Sequence, residues 1–220
     1  FGKLHVSGSL YEAYHKHPNL GFDTYEWCAH PEKTLGAPYQ GYGRWLRERS
    51  PDFYERLATE GRQLTHFPRE FHLTHWAAER TLDFIRQWDG SRPFFCMMSI
   101  IDPHNPYYRY PLEMSDLLDP KVLPDPVFAY DEMEGKPAGM VREHDSGYMG
   151  SWHSYSLADL RRMRHGYHTA IALADMEMGR VLDALQERRL ADNTLVVFVS
   201  DHGDMLGDHQ LLAKGAFFYD

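Results

Sequence analysis

Two apolar runs of strand length constrain this chain more than any other feature. Residues 94–101 read Phe-Phe-Cys-Met-Met-Ser-Ile-Ile, and residues 195–199 read Leu-Val-Val-Phe-Val. Neither alternates apolar with polar, so neither is built to face water on one side. Each fits a strand covered on both faces, as in a parallel sheet.

Helical patterns stand before both runs. Ala77, Thr81, Phe84, Ile85 and Trp88 recur at helical spacing and predict an amphipathic helix that ends near Asp89-Gly90. Ile171, Ala174, Met178, Val181 and Leu185 share one face of a second helix over 157–188. Helix–strand units repeated in this way predict an α/β fold, a layered and mostly parallel sheet flanked by helices. Phe1-Gly2-Lys3-Leu4-His5-Val6-Ser7-Gly8 alternates as a short strand would, with no cap or leader before it. Residues 9–67 are rich in Tyr, His, Gly and Pro and read as an irregular excursion with a short helix over 51–59. Residues 109–156 carry Pro111, Pro120, Pro124, Pro126 and Pro137 and read as loop.

Both strand-like runs end in residues that can hold a metal or move a proton. The first ends in Asp102-Pro103-His104, the second in Ser200-Asp201-His202-Gly203-Asp204. Sites in open α/β sheets form at the carboxyl ends of strands, where loops converge without disturbing the core. Asp201 and His202 can reach one cation where the backbone turns, and Gly203 offers that freedom; a plain polar junction has the same look. His104 stands between two stiffening prolines, as a positioned acid or base would. Lys3 and His5 face one side of an extended segment, which suits an anion but also any strand edge. Asp204, Asp208 and His209 read as exposed loop residues or as partners of such a cluster, and Lys214 reads as a surface lysine.

The net charge of −9 argues against a general nucleic-acid binder, because phosphate contacts need clustered Lys and Arg. It leaves room for a small anionic substrate held by a few local cations. No apolar run approaches the ~20 residues of a membrane helix. Of the two cysteines, Cys96 lies in an apolar run as an inert thiol and Cys28 has no evident partner. They indicate no disulfide framework and leave the compartment open.

Taken in order, these residues resemble a known family. The stretch from Val197 through Ser200-Asp201-His202-Gly203-Asp204-Met205-Leu206-Gly207-Asp208-His209, with Lys214 and Phe217-Phe218-Tyr219, is similar to the second metal-binding segment of the sulfatases. Asp102-Pro103-His104-Asn105-Pro106-Tyr107 resembles their substrate-histidine segment, and Gly2-Lys3-Leu4-His5 their Gly-Lys-x-His motif. The likeness is strong over 68–126 and 157–219 and short over 2–5. It implies an alkaline-phosphatase-like fold and a small-molecule sulfate ester as substrate. It also implies a divalent cation, calcium or magnesium, with manganese or zinc as alternatives. Asp201 and His202 would be metal ligands, with Asp201 also helping to activate the nucleophile. Lys3 and Lys214 would contact the sulfate oxygens, His104 would assist the leaving group, and His5 would act on the covalent sulfate adduct.

The family's Cys-x-Pro-x-Arg motif, whose cysteine becomes formylglycine, has no match here. Neither Cys28-Ala29-His30-Pro31 nor Cys96-Met97-Met98-Ser99 fits it. The resemblance therefore implies an incomplete catalytic domain over 1–220, with 9–67 and 127–156 as variable, substrate-selecting loops. A phosphonate monoester or phosphodiester hydrolase is the nearest rival, and there tyrosine and threonine tend to replace the residues corresponding to Lys3 and His5. A non-catalytic module is the other.

Overall fold

The computed structural model describes residues 1–5, 8–15 and 19–215. Val6 and Ser7 of the first alternating stretch, and Phe217, Phe218 and Tyr219 of the last motif, lie outside the described residues. Among the described residues, seven α-helices follow in chain order: α1 (Ser9–Tyr14), α2 (Pro31–Thr34), α3 (Gly41–Arg49), α4 (Pro51–Glu60), α5 (Leu73–Gln87), α6 (Ala138–Ser146) and α7 (Leu157–Glu187). No described helix is long and apolar enough to cross a membrane.

The two helices with clear periodicity form close to where the pattern puts them. Helix α7 starts on a capping box, in which the Asp159 amide donates to the Ser156 hydroxyl at 3.2 Å and the Ser156 amide donates back to the Asp159 carboxylate at 2.8 Å. Helix α5 starts where the buried His72 ring accepts from the Thr74 amide. The amino-terminal half of α5 packs on α3 and α4 through Trp76, Tyr42, Leu46, Phe53 and Leu57. Its carboxyl-terminal half packs on α7 through Leu82, Ile85, Ala184 and Leu185. The polar part of the α5–α7 seam centres on Glu177, whose side chain is fully buried and is reached by Arg69 at 3.0 Å and His75 at 3.1 Å.

Within the span 9–67 the expected short helix forms as α4, and the remainder, expected to be irregular, also carries α1, α2 and α3; the span holds most of the largest apolar cluster among the described residues. Of its aromatic residues, Trp27, Tyr42, Phe53 and Phe67 are core, whereas Tyr11, Tyr14 and Tyr39 are exposed. Residues 138–146, also expected in a loop, form α6.

The layered parallel sheet does not form among the described residues. Four extended segments lie side by side in the order Gln40, Trp27, Gly2, Ser99, all parallel, but each pair meets at a single bridge. The Gly2 amide donates to Glu26, the Lys3 amide to Ser99, and the Cys28 amide to Gly2, at 2.9–3.1 Å. Residues 195–199 run extended with no strand beside them, and their side chains are 56–89% exposed. A ladder needs donors and acceptors from both neighbours, and among the described residues this run has neither.

Candidate active site

The first segment is set by a close backbone approach. A Cβ on Gly2, which has φ 117°, would meet the Ser99 carbonyl oxygen at 1.9 Å, so only glycine fits. That approach places Lys3 beside residue 99, with its side chain 8% exposed. The Lys3 ammonium donates to the Asp201 carboxylate at 3.2 Å. His202 follows, its Nε2 3.6 Å from the same oxygen. The His202 Nδ1 sits 2.8 Å from the Gly203 carbonyl, which makes Nδ1 the protonated nitrogen and leaves Nε2 as acceptor.

Lys214 returns to this pair because the intervening loop closes on itself. The Met205 amide donates to Ala213 and the Gly207 amide to Leu211, both at 2.9 Å. The Lys214 ammonium then donates to His202 Nε2. The turn is made at Gly207, with φ 95°, whereas Gly203, expected to supply it, has no positive φ.

His104 completes the group. Its ring meets that of His202 edge to face at 5.9 Å between centroids, and its Nδ1 lies 2.9 Å from the Asn105 carbonyl. Burial, the nearby charges of Lys214 and Lys3, and His30 lower its pKa to about 4 against the Asn105 hydrogen bond, so the ring is neutral at pH 7. Burial and Lys3 likewise lower Lys214, with Asp201 and Asp204 acting against them. Burial pushes the Asp201 carboxyl up, but the hydrogen bond and charge of Lys3 overcome it and hold the group below the usual range.

The structure thus brings Lys3, His104, Asp201, His202 and Lys214 together. His5 is exposed and has no hydrogen bond or ion pair to this group among the described residues. Asp102 goes elsewhere, to the Thr74 hydroxyl and, at 3.4 Å, the buried His72 ring. Asp204 accepts from the Tyr107 hydroxyl at 2.7 Å and the Leu206 amide at 3.1 Å, tying the two site loops to each other. Asp208 accepts from Arg164 and the Val127 amide, and His209 faces Glu132.

One neighbour was not legible in the sequence. His30 packs edge to face on His104 at 5.6 Å, and burial, Lys33 and Arg62 bring its pKa to about 4 despite Glu32. Its place before Pro31 reads as a helix start, and the position of its ring depends on tertiary packing. Beside it, a cavity of about 20 Å³ lined by His72, His104 and Arg109 has room for one water.

The sulfatase family model matches residues 2–218. The chain belongs to the sulfatase family. An arylsulfatase from Clostridium perfringens is 34% identical over 155 residues, covering 68% of this chain and 30% of that protein. The multifunctional alkaline phosphatase superfamily protein PehA from Trinickia caryophylli is 32% identical over 156 residues, covering 67% and 30%. The chain thus spans about 30% of the length of these two relatives. A phosphonate monoester hydrolase from Silicibacter pomeroyi superposes with a TM-score of 0.72 at 22% identity, over 92% of this chain and 42% of that one. That likeness shows that the chain shares the fold of that hydrolase over the superposed residues.

Proposed function

We propose that this chain is the part of a sulfuric ester hydrolase that grips the sulfuryl group and handles the leaving-group proton. The observation that carries this reading is the convergence of two lysines, from opposite ends of the sequence, on the Asp201–His202 pair beside a neutral histidine. Two ammonium groups in a partly desolvated corner are what an anionic group in transfer needs. Lys3 and Lys214 would bind the sulfate oxygens, and Lys214 would face the departing oxygen. Burial is the main cause of His104's neutrality; an anion between the lysines would cancel the smaller part that their charges add, and so favour a proton on His104 for the leaving group. His5 would serve the later release of sulfate from its exposed position.

Asp201 and His202 are the donors this chain would offer to calcium or magnesium. They do not fill such a shell, which takes roughly six to eight oxygens for calcium and about six for magnesium. Asp204 is already bonded to Tyr107 and the Leu206 amide, and both ligand side chains face ammonium groups. The chemistry open to these residues therefore rests on their own cations and imidazoles. Formylglycine, where a sulfatase carries it, supplies the nucleophilic oxygen; Cys28 is 1% exposed inside the main core, and neither cysteine stands in the required motif.

The 220-residue chain should release no phenol from an activated aryl sulfate beyond a His104→Ala control. Release above that control would contradict a nucleophile lying outside these residues. The rival reading, phosphonate monoester hydrolysis, draws on the structural likeness. Lys3 and His5 favour sulfate: the chain should bind an aryl sulfate more tightly than the matching phosphonate monoester, and Lys3→Tyr with His5→Thr should narrow the difference. The opposite preference would support the rival.

A further inference from the structure

A second cluster of ligating side chains lies well away in sequence, on α6 and the turn after it. His144 and Asp145 end α6, and His153 returns to them across a short hairpin closed by an antiparallel bridge between Gly147 and Gly150. One ligand atom from each residue lies within 4.8 Å of the others. The Asp145 Oδ1 is 2.7 Å from His144 Nδ1 and 3.8 Å from His153 Nε2, and the two rings meet at 89° with centroids 4.8 Å apart. Ligand atoms around a tetrahedral zinc ion, each about 2.0–2.1 Å from the metal, stand roughly 3.3 Å from one another. The two carboxylate–imidazole distances bracket that value, and the third pair lies within 4.8 Å.

A carboxylate between two imidazoles can also be a plain hydrogen-bond network. Distance separates the two cases. The His153 Nε2 stands 3.8 Å from the Asp145 Oδ1, too far for a hydrogen bond, so the carboxylate does not tie the two rings into one network. The His144 ring, 7% exposed, holds its Nδ1 toward that carboxylate. Asp145 and His153 are open to solvent at 55% and 70%, so an ion and its waters can reach them.

We propose that His144, Asp145 and His153 form a transition-metal site of the zinc class that clips α6 to the 152–154 turn. Two imidazoles and one carboxylate select zinc, nickel or copper over calcium or magnesium, and three protein ligands leave a position for water. The clip spans the base of a hairpin whose tip carries Tyr148. The Tyr148 hydroxyl donates to the Asn105 side chain at 3.4 Å, and Arg62 reaches both at 3.4–3.5 Å. Asn105 is the residue after His104, so metal at the hairpin base steadies a contact next to the proposed leaving-group histidine.

The test is zinc binding to the full 220-residue chain, stripped with a chelator and followed by calorimetry and by competition with a chromophoric chelator. One equivalent should bind with micromolar affinity or better. His153→Ala and Asp145→Asn should each weaken it at least tenfold with an unchanged circular dichroism spectrum, and Asp201→Ala should leave it intact. Absence of a tight equivalent, full affinity in His153→Ala, or loss in Asp201→Ala would each overturn the proposal. His153 is the preferred variant because its exposed ring can be removed without opening the core.

Discussion

The Lys3 ammonium lies 3.2 Å from the Asp201 carboxylate, joining the first described segment to the loop that follows residue 199. The two ends of this contact differ in environment: the lysine side chain is 8% exposed and the aspartate 68%. Removing the partner of a buried charge is more costly than removing the charge itself. Asp201→Asn should therefore destabilise the chain by about 1 kcal/mol, discounted for the solvent that screens the carboxylate, and Lys3→Met should cost less. Urea unfolding of both variants measures this, and a larger loss in Lys3→Met would contradict it.

Gly166 is where α7 meets the loop carrying His104. A Cβ there would lie 1.8 Å from the Tyr107 carbonyl oxygen. Alanine normally gains up to about 1 kcal/mol over glycine inside a helix, yet a clash with rigid backbone costs more than that. Gly166→Ala should lose at least about 2 kcal/mol in urea unfolding. A stabilised variant would show that α7 and the loop can separate without penalty.

Glu177 gives the fold an acid limit. Burial pushes its carboxyl up, but hydrogen bonds from His75, Arg180 and Arg69 outweigh it and bring the pKa down to about 2, against 4.5 for the free group. The folded value lies below the unfolded one, so the ionised group's contribution is fully present above about pH 4.5. It disappears as the pH falls toward 2. The difference corresponds to roughly 3 kcal/mol at most. Stability followed by urea unfolding between pH 6 and 3 should fall through this window, and Glu177→Gln should flatten that part of the curve. An equally steep curve in the variant would mean that other carboxylates set the limit.

The sequence made α5 and α7 legible because their apolar residues keep a 3.6-residue period over three or more turns. Helix α3 escaped notice because Gly41 and Gly43 weaken its propensity, while its start depends on Gln40 reaching the Gly43 amide at 2.6 Å. The runs at 94–101 and 195–199 were legible as extended chain. Their pairing was not, since a strand's neighbours are set by tertiary contacts. Lys3, His104, Asp201, His202 and Lys214 could be singled out because motifs carry them. The Tyr107–Asp204 tie and the His30–His104 packing join distant residues through burial, and no local pattern announces them.

Inorganic sulfate is the simplest probe of whether Lys3 and Lys214 hold one anion. Calorimetric titration of the 220-residue chain and of Lys214→Ala, at matched ionic strength, compares them directly. One sulfate should bind the parent chain, and Lys214→Ala should weaken it at least tenfold, about 1.4 kcal/mol. Equal affinity in the two proteins would contradict a shared anion site.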